Sequence, residues 1–199
     1  MPAWQPLLDW WFGSASSAAE VAAQRSGLWF GYSDSQDDEA RRRFGDQVEQ
    51  ALAGGLQDWA DDAQGWLALI LLLDQLPRMI GRNTPKAFAG DARAQQLVRQ
   101  GLARDMERQL DSIRQVFVYL VLEHTEDLPT QNQAVERFRA LRDAQPEGER
   151  EPFDGFLDFA VRHQQVIARF GRFPHRNAIL GRPSSAAEQV YLDEPGSGF

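Results

Sequence analysis

The chain has 199 residues, 22.5 kDa and 43% hydrophobic residues, with six Trp and twelve Phe, which suits one sizeable core and excludes a disordered or low-complexity chain. It has no cysteine, which excludes a disulfide scaffold, a thiolate nucleophile and a Cys-ligated zinc. The net charge of −8 argues against nucleic acid or an anionic membrane as a general partner.

The opening MPAWQPLLDWWFG has neither a basic n-region nor a small-residue cleavage site, so no signal peptide is expected and the cytoplasm is the expected location. Trp4, Leu7, Leu8, Trp11 and Phe12 recur at helical spacing and predict a short first helix closed by Gly13. A weak helix is expected within 14–27. Asp37 or Asp38 is expected to cap the next, which runs through Phe44 and Val48 to Leu52 and stops at Gly54-Gly55. Asp61-Asp62 opens a helix that is apolar all round from Trp66 to Leu73. That run of eight residues cannot span a bilayer, so it belongs at the centre of the fold. Pro77 is expected to interrupt it.

Asp91 begins a helix to about Leu102, and Asp105 is expected to cap a longer one carrying Leu110, Ile113, Phe117 and Leu120. Pro129 suits a first turn, Phe153 to Phe170 reads as a strong amphipathic helix, and Ser185-x-x-Glu188 is a capping box. About eight to ten helices without β-type alternation predict an all-α, antiparallel helical array. Residues 1–193 form a single domain on this reading, and 194–199 a mobile tail.

Three segments carry more chemistry than a helix bundle needs. The first runs from Leu72-Leu73-Asp74 to Arg78, Arg82 and Lys86; it ends a buried apolar face in a carboxylate that needs a cation or several donors. The second is Glu123-His124-Thr125-Glu126-Asp127, in which His124 continues the Ile113, Phe117, Leu120 face and so points inward. The third places His163 on the Phe156, Phe159, Ile167, Phe170 face and follows it with Arg169, Arg172, His175, Arg176 and Arg182 in a turn rich in Gly and Pro.

Charge separates along the chain in the same places. Residues 159–187 hold five Arg and no acid, residues 75–90 two Arg and one Lys and no acid, and the remainder carries −16. Structural ion pairs on separate surfaces would use these residues one way; a shared polar pocket would use them another. Mutual satisfaction favours the pocket, with Asp74, Glu123 and the Arg169–Arg182 turn brought together and spare guanidinium donors left for an anion. The three histidines lack HExxH or any other metal spacing, so no metal site is expected, and no P-loop, GxGxxG or GxSxG names a cofactor.

These segments resemble the bacterial domain-of-unknown-function family 924 over nearly the whole chain. The resemblance rests on Trp10-Trp11-Phe12-Gly13, LALILLLDQLPR at 67–78, Thr84-Pro85-x-Ala87-Phe88, Glu123-His124-Thr125-Glu126-Asp127 with Gln131, and His163 with RFGRFPHRNAILGR at 169–182. Met79 and Val121 depart from the pattern, which has Asn and Pro there. The resemblance implies an all-helical, tetratricopeptide-like fold and no established activity.

The residues themselves point first to binding of an anionic small molecule or acidic peptide by Arg78, Arg82, Arg169, Arg172, His175, Arg176 and Arg182. They point second to a hydrolase-type enzyme with His124 or His163 as general base and Asp74 or Glu123 orienting it, metal-assisted or not. A third reading is an interaction scaffold, with the Trp-rich first helix serving as a homo-oligomer surface.

Overall fold

The computed structural model describes residues 1–198; the expected mobile tail at 194–199 includes Phe199, which lies outside them. Among the described residues the chain forms nine α-helices and no strand. They are α1 (Gln5–Phe12), α2 (Ala18–Trp29), α3 (Asp34–Leu52), α4 (Ala63–Ile80), α5 (Asp91–Leu102), α6 (Ser112–Glu123), α7 (Leu128–Asp143), α8 (Glu151–Phe170) and α9 (Ala186–Leu192), with short 3-10 turns between several of them. From α3 to α8 each helix packs against the next in sequence, so the array is a run of helical hairpins.

α4 lies at its centre, as a helix apolar on every side must: Leu67 through Leu73 are all at 0% exposure. α6 is its counterpart, buried continuously from Val116 to Glu123 between α4, α5, α7 and α8. The aromatic residues of the N-terminal helices close one end of this core. Trp11, Phe12 and Trp29 meet Phe117 edge-on at 5.5, 5.4 and 4.8 Å, and Trp29 Nε1 donates to the Trp11 carbonyl at 2.9 Å. The first helix therefore commits its large side chains to the interior, with Trp10 half-buried and donating to Glu39 at 3.0 Å.

Side-chain caps explain five of the nine helix starts among the described residues. Asp62, Asp111, Asp127 and Ser17 each accept from a backbone N–H in the first turn of the helix they precede, and Ser185 and Glu188 close the expected capping box. Two expected starts move. α3 begins at Asp34 behind Ser33, with Asp37 already inside its first turn. Asp105 adopts left-handed backbone at φ 54° and does not cap; Asp111 opens α6 instead, because a 3-10 turn at Met106–Gln109 intervenes.

Pro77 does not interrupt α4, which continues to Ile80. Proline has no N–H for the carbonyl four residues back, that of Leu73. The chain returns across that carbonyl at Gly90, so closely that a Cβ there would lie 2.1 Å from the Leu73 oxygen. A bare backbone at residue 90 thus covers the turn that the proline opens, and the helix continues past Asp74 and Arg78 to Ile80. No helix among the described residues is long and apolar enough to cross a membrane.

Candidate functional site

Asp74 occupies the penultimate turn of α4 at 1% exposure, and His124 is the residue at which α6 ends. His124 Nδ1 lies 2.8 and 3.0 Å from the two Asp74 carboxylate oxygens. Gln75 Nε2 donates to Asp74 at 2.6 Å, and Arg78 Nη1 stands 3.2 Å from the same carboxylate, one turn along α4. Burial opposes ionisation of Asp74, yet Arg78 and His124 together hold its carboxyl well below the ordinary value. Burial and the Arg78 charge push the His124 imidazole below its ordinary value and outweigh the attraction of Asp74. At neutral pH this is an ionised carboxylate beside a neutral ring. A carboxylate only accepts, so Nδ1 carries the ring proton and Nε2 holds the basic lone pair.

A second carboxylate–imidazole pair stands beside the first. His163, on α8, has Nδ1 3.0 Å from Glu123 Oε1 and 2.8 Å from the Phe159 carbonyl. The carbonyl likewise fixes the proton on Nδ1. Gln131, fully buried on α7, holds the carbonyls of Glu123 and Thr125 and so fixes the end of α6. The rings of His124 and His163 are 6.4 Å apart between centroids. Phe173 meets His163 at 5.5 Å and His175 at 5.6 Å, which gathers all three histidines around one end of α6. Burial, reinforced by the Arg176 charge, pushes the His175 imidazole down to about 3.

The arginines frame this centre through carboxylates contributed by other segments. Arg78 forks onto Asp91 at 2.9 and 3.1 Å, and Arg176 reaches the same carboxylate at 3.1 Å. Arg176 also donates to the His124 carbonyl at 3.1 Å, with its guanidinium over the rings of Phe88 (4.6 Å) and Phe173 (4.8 Å). Burial and the proximity of Arg78 lower Arg176 to about 10. Arg182 forks onto Glu126 at 2.7 and 2.9 Å, and Glu126 accepts from the Phe173 N–H at 2.7 Å, which fastens the 171–182 turn over the site. Despite partial burial, Arg182 and the Phe173 N–H hold Glu126 below the ordinary carboxylate range.

The three sequence segments therefore meet, but with a different pairing from the expected one. Asp74 is neutralised by Arg78 and His124 rather than by the arginine turn. Arg172 is taken by Glu188 at 2.6 and 2.8 Å, and Arg82 by Asp37 at 2.8 and 3.0 Å on another face. Arg169 stacks over Phe170 at 4.7 Å and lines a separate cleft of about 390 Å³ with Arg162 and Tyr191. The acid-free stretches draw their counter-charges from Asp91, Glu126, Glu188 and Asp37, so most of the expected spare donors are occupied. Asp91 is the residue that sequence reasoning passed over: it read only as a helix start, whereas it joins the first and third segments. Among the described residues no group of three or more His, Asp or Glu side chains is arranged to hold a metal ion.

Comparison with known proteins places the geometry in a family. The model of the family described as bacterial protein of unknown function (DUF924) matches residues 7–196. The solved structure of a protein of unknown function, ATU0120 from Agrobacterium tumefaciens, is similar with a TM-score of 0.74 and 31% identity, covering 89% of this chain and 99% of that one. No curated protein matches the chain.

Proposed function

The chain belongs to the DUF924 family of bacterial proteins, whose description assigns no chemistry, and from the site itself we propose that it is a hydrolase-type enzyme with His124 as general base. The observation that carries this reading is the Asp74–His124 pair at 2.8 and 3.0 Å. Asp74 fixes the ring with Nδ1 protonated, and the His124 side chain is 15% exposed where that of Asp74 is 1% exposed. Solvent meets the ring and not the carboxylate. A water on Nε2 loses its proton to His124 as its oxygen attacks an electrophilic carbon, while Asp74 stabilises the imidazolium that forms. Arg176, through the His124 carbonyl, and Arg78, through Asp74, are positioning residues for this step.

The test is turnover of p-nitrophenyl acetate and p-nitrophenyl butyrate by the full chain, compared with His124→Gln and Asp74→Asn. At least one probe should be hydrolysed, with a loss of about 10²-fold or more in His124→Gln. Turnover unchanged in His124→Gln refutes the assignment.

A second reading, binding of an anionic small molecule, has one specific observation behind it: Arg78 and Arg176 share the single carboxylate of Asp91, a local excess of guanidinium. Thermal stabilisation by phosphate that disappears in Arg176→Gln would favour it. The scaffold reading has less support, because Trp11 and Phe12 of the first helix are buried in the core. A tetratricopeptide-like mode of binding and a cytoplasmic setting stay expectations of the sequence.

A further inference from the structure

Glu123 and His124 are consecutive, yet they serve opposite neighbours. Successive residues at a helix end point about 100° apart, so Glu123 turns to His163 on α8 while His124 turns to Asp74 on α4. The end of α6 thus sets two carboxylate–imidazole pairs side by side, with ring centroids 6.4 Å apart. We propose that His163, oriented by Glu123, is the general acid that complements His124, so that the site hydrolyses small esters whose leaving oxygen must receive a proton; this rests on the hydrolase reading above.

The two pairs are not equivalent, and the difference assigns the roles. The Asp74 charge is divided among Gln75, Arg78 and His124. Glu123 is 2% exposed, and among the described residues no arginine pairs with it. Its Oε2 is buried without a hydrogen-bond partner, while Oε1 faces His163 at 3.0 Å. A buried carboxylate requires a compensating cation. His163 is the group placed against Glu123 to supply one, whereas His124 faces a carboxylate that Arg78 already neutralises. The geometry accordingly gives His163 the role of the acid and His124 that of the base. Ring centroids 6.4 Å apart set the two rings close enough together for one small substrate to meet both.

The step balances without a further reactant. The oxygen of water forms a bond to the ester carbon as His124 Nε2 takes one water proton. The bond from that carbon to the leaving oxygen then breaks, and His163 Nε2 gives its proton to that oxygen. Carboxylic acid and alcohol depart with His124 protonated and His163 neutral, and exchange with solvent restores both.

Two acetate esters separate this role from a structural one. Nitrophenolate leaves p-nitrophenyl acetate readily without a proton; ethoxide, a far stronger base, leaves ethyl acetate much more readily when it receives one. His163→Gln should lower ethyl acetate hydrolysis by about 10²-fold and p-nitrophenyl acetate hydrolysis only marginally, with His124→Gln lowering both. Glu123→Gln should show the same discrimination in weaker form, which keeps the test available if His163→Gln does not fold. An equal loss on both esters, or no loss on either, in a folded His163 variant overturns the assignment of the acid while leaving His124 as base. A wild-type chain inert on both esters overturns the base and the acid together.

Discussion

Asp74→Asn is the sharpest single perturbation of the centre, because it removes one buried charge and almost no volume. Arg78 keeps its fork on Asp91 at 2.9 and 3.1 Å, and His124 Nδ1 keeps an oxygen to donate to, so neither partner is stranded. The loss lies in two charge-assisted contacts and in Gln75 Nε2, 2.6 Å from the Asp74 oxygen that the amide nitrogen would replace. That places the cost below the 3–5 kcal/mol of a fully broken buried pair, at about 2–3 kcal/mol. For a chain of this size the midpoint of thermal unfolding should fall by about 4–12 °C at neutral pH. The pH dependence has a definite sign. The folded carboxyl titrates below its ordinary value, so its contribution is complete above about pH 4 and is lost as pH falls through the lower folded value. The gap between wild type and variant, followed by circular dichroism, should stay level from about pH 8 to about pH 5 and narrow below about pH 4. A variant that melts with the wild type, or a gap that widens on acidification, refutes this account of the centre.

Two further outcomes follow from the geometry. Gly90→Ala should lower stability by about 1–3 kcal/mol in urea unfolding, since its Cβ would meet the Leu73 carbonyl oxygen at 2.1 Å and backbone carbon at 2.8 Å, with no flexible side chain to yield; wild-type stability would contradict it. His175 is held down to about 3, so the unfolded chain gains a proton at about pH 6.5 that the folded chain refuses, and stability falls as pH drops through this window. His175→Gln should flatten the dependence of unfolding free energy on pH between about 6 and 4, by up to about 1.4 kcal/mol per pH unit; an unchanged slope would contradict it.

The helices were legible in the sequence because their signals are local: the all-apolar 66–73 run, the caps at Asp62 and Ser185, and the inward histidines at the ends of apolar stripes all reappear in the fold. What escaped was set by distant partners. The continuation of α4 through Pro77 depends on Gly90, thirteen residues on, lying flat against Leu73. The start of α6 at Asp111 rather than Asp105 depends on which aspartate the packing leaves in extended backbone. The site followed the same pattern. Its three segments and two pairs of acid and imidazole were visible as residue types, but the assignment of Asp91 to both Arg78 and Arg176, and of Glu126 to Arg182, is a matter of tertiary distance. Charge counting along the chain overstated the free guanidinium because it could not see those acids arrive.

The central claim is that His124 is a neutral base presented by Asp74, and imidazole nitrogen NMR of the full chain reads this directly. At pH 7 the His124 ring should be neutral, with its proton on Nδ1 and an unprotonated Nε2. A His124 ring doubly protonated at pH 7, or carrying its proton on Nε2, would contradict the claim.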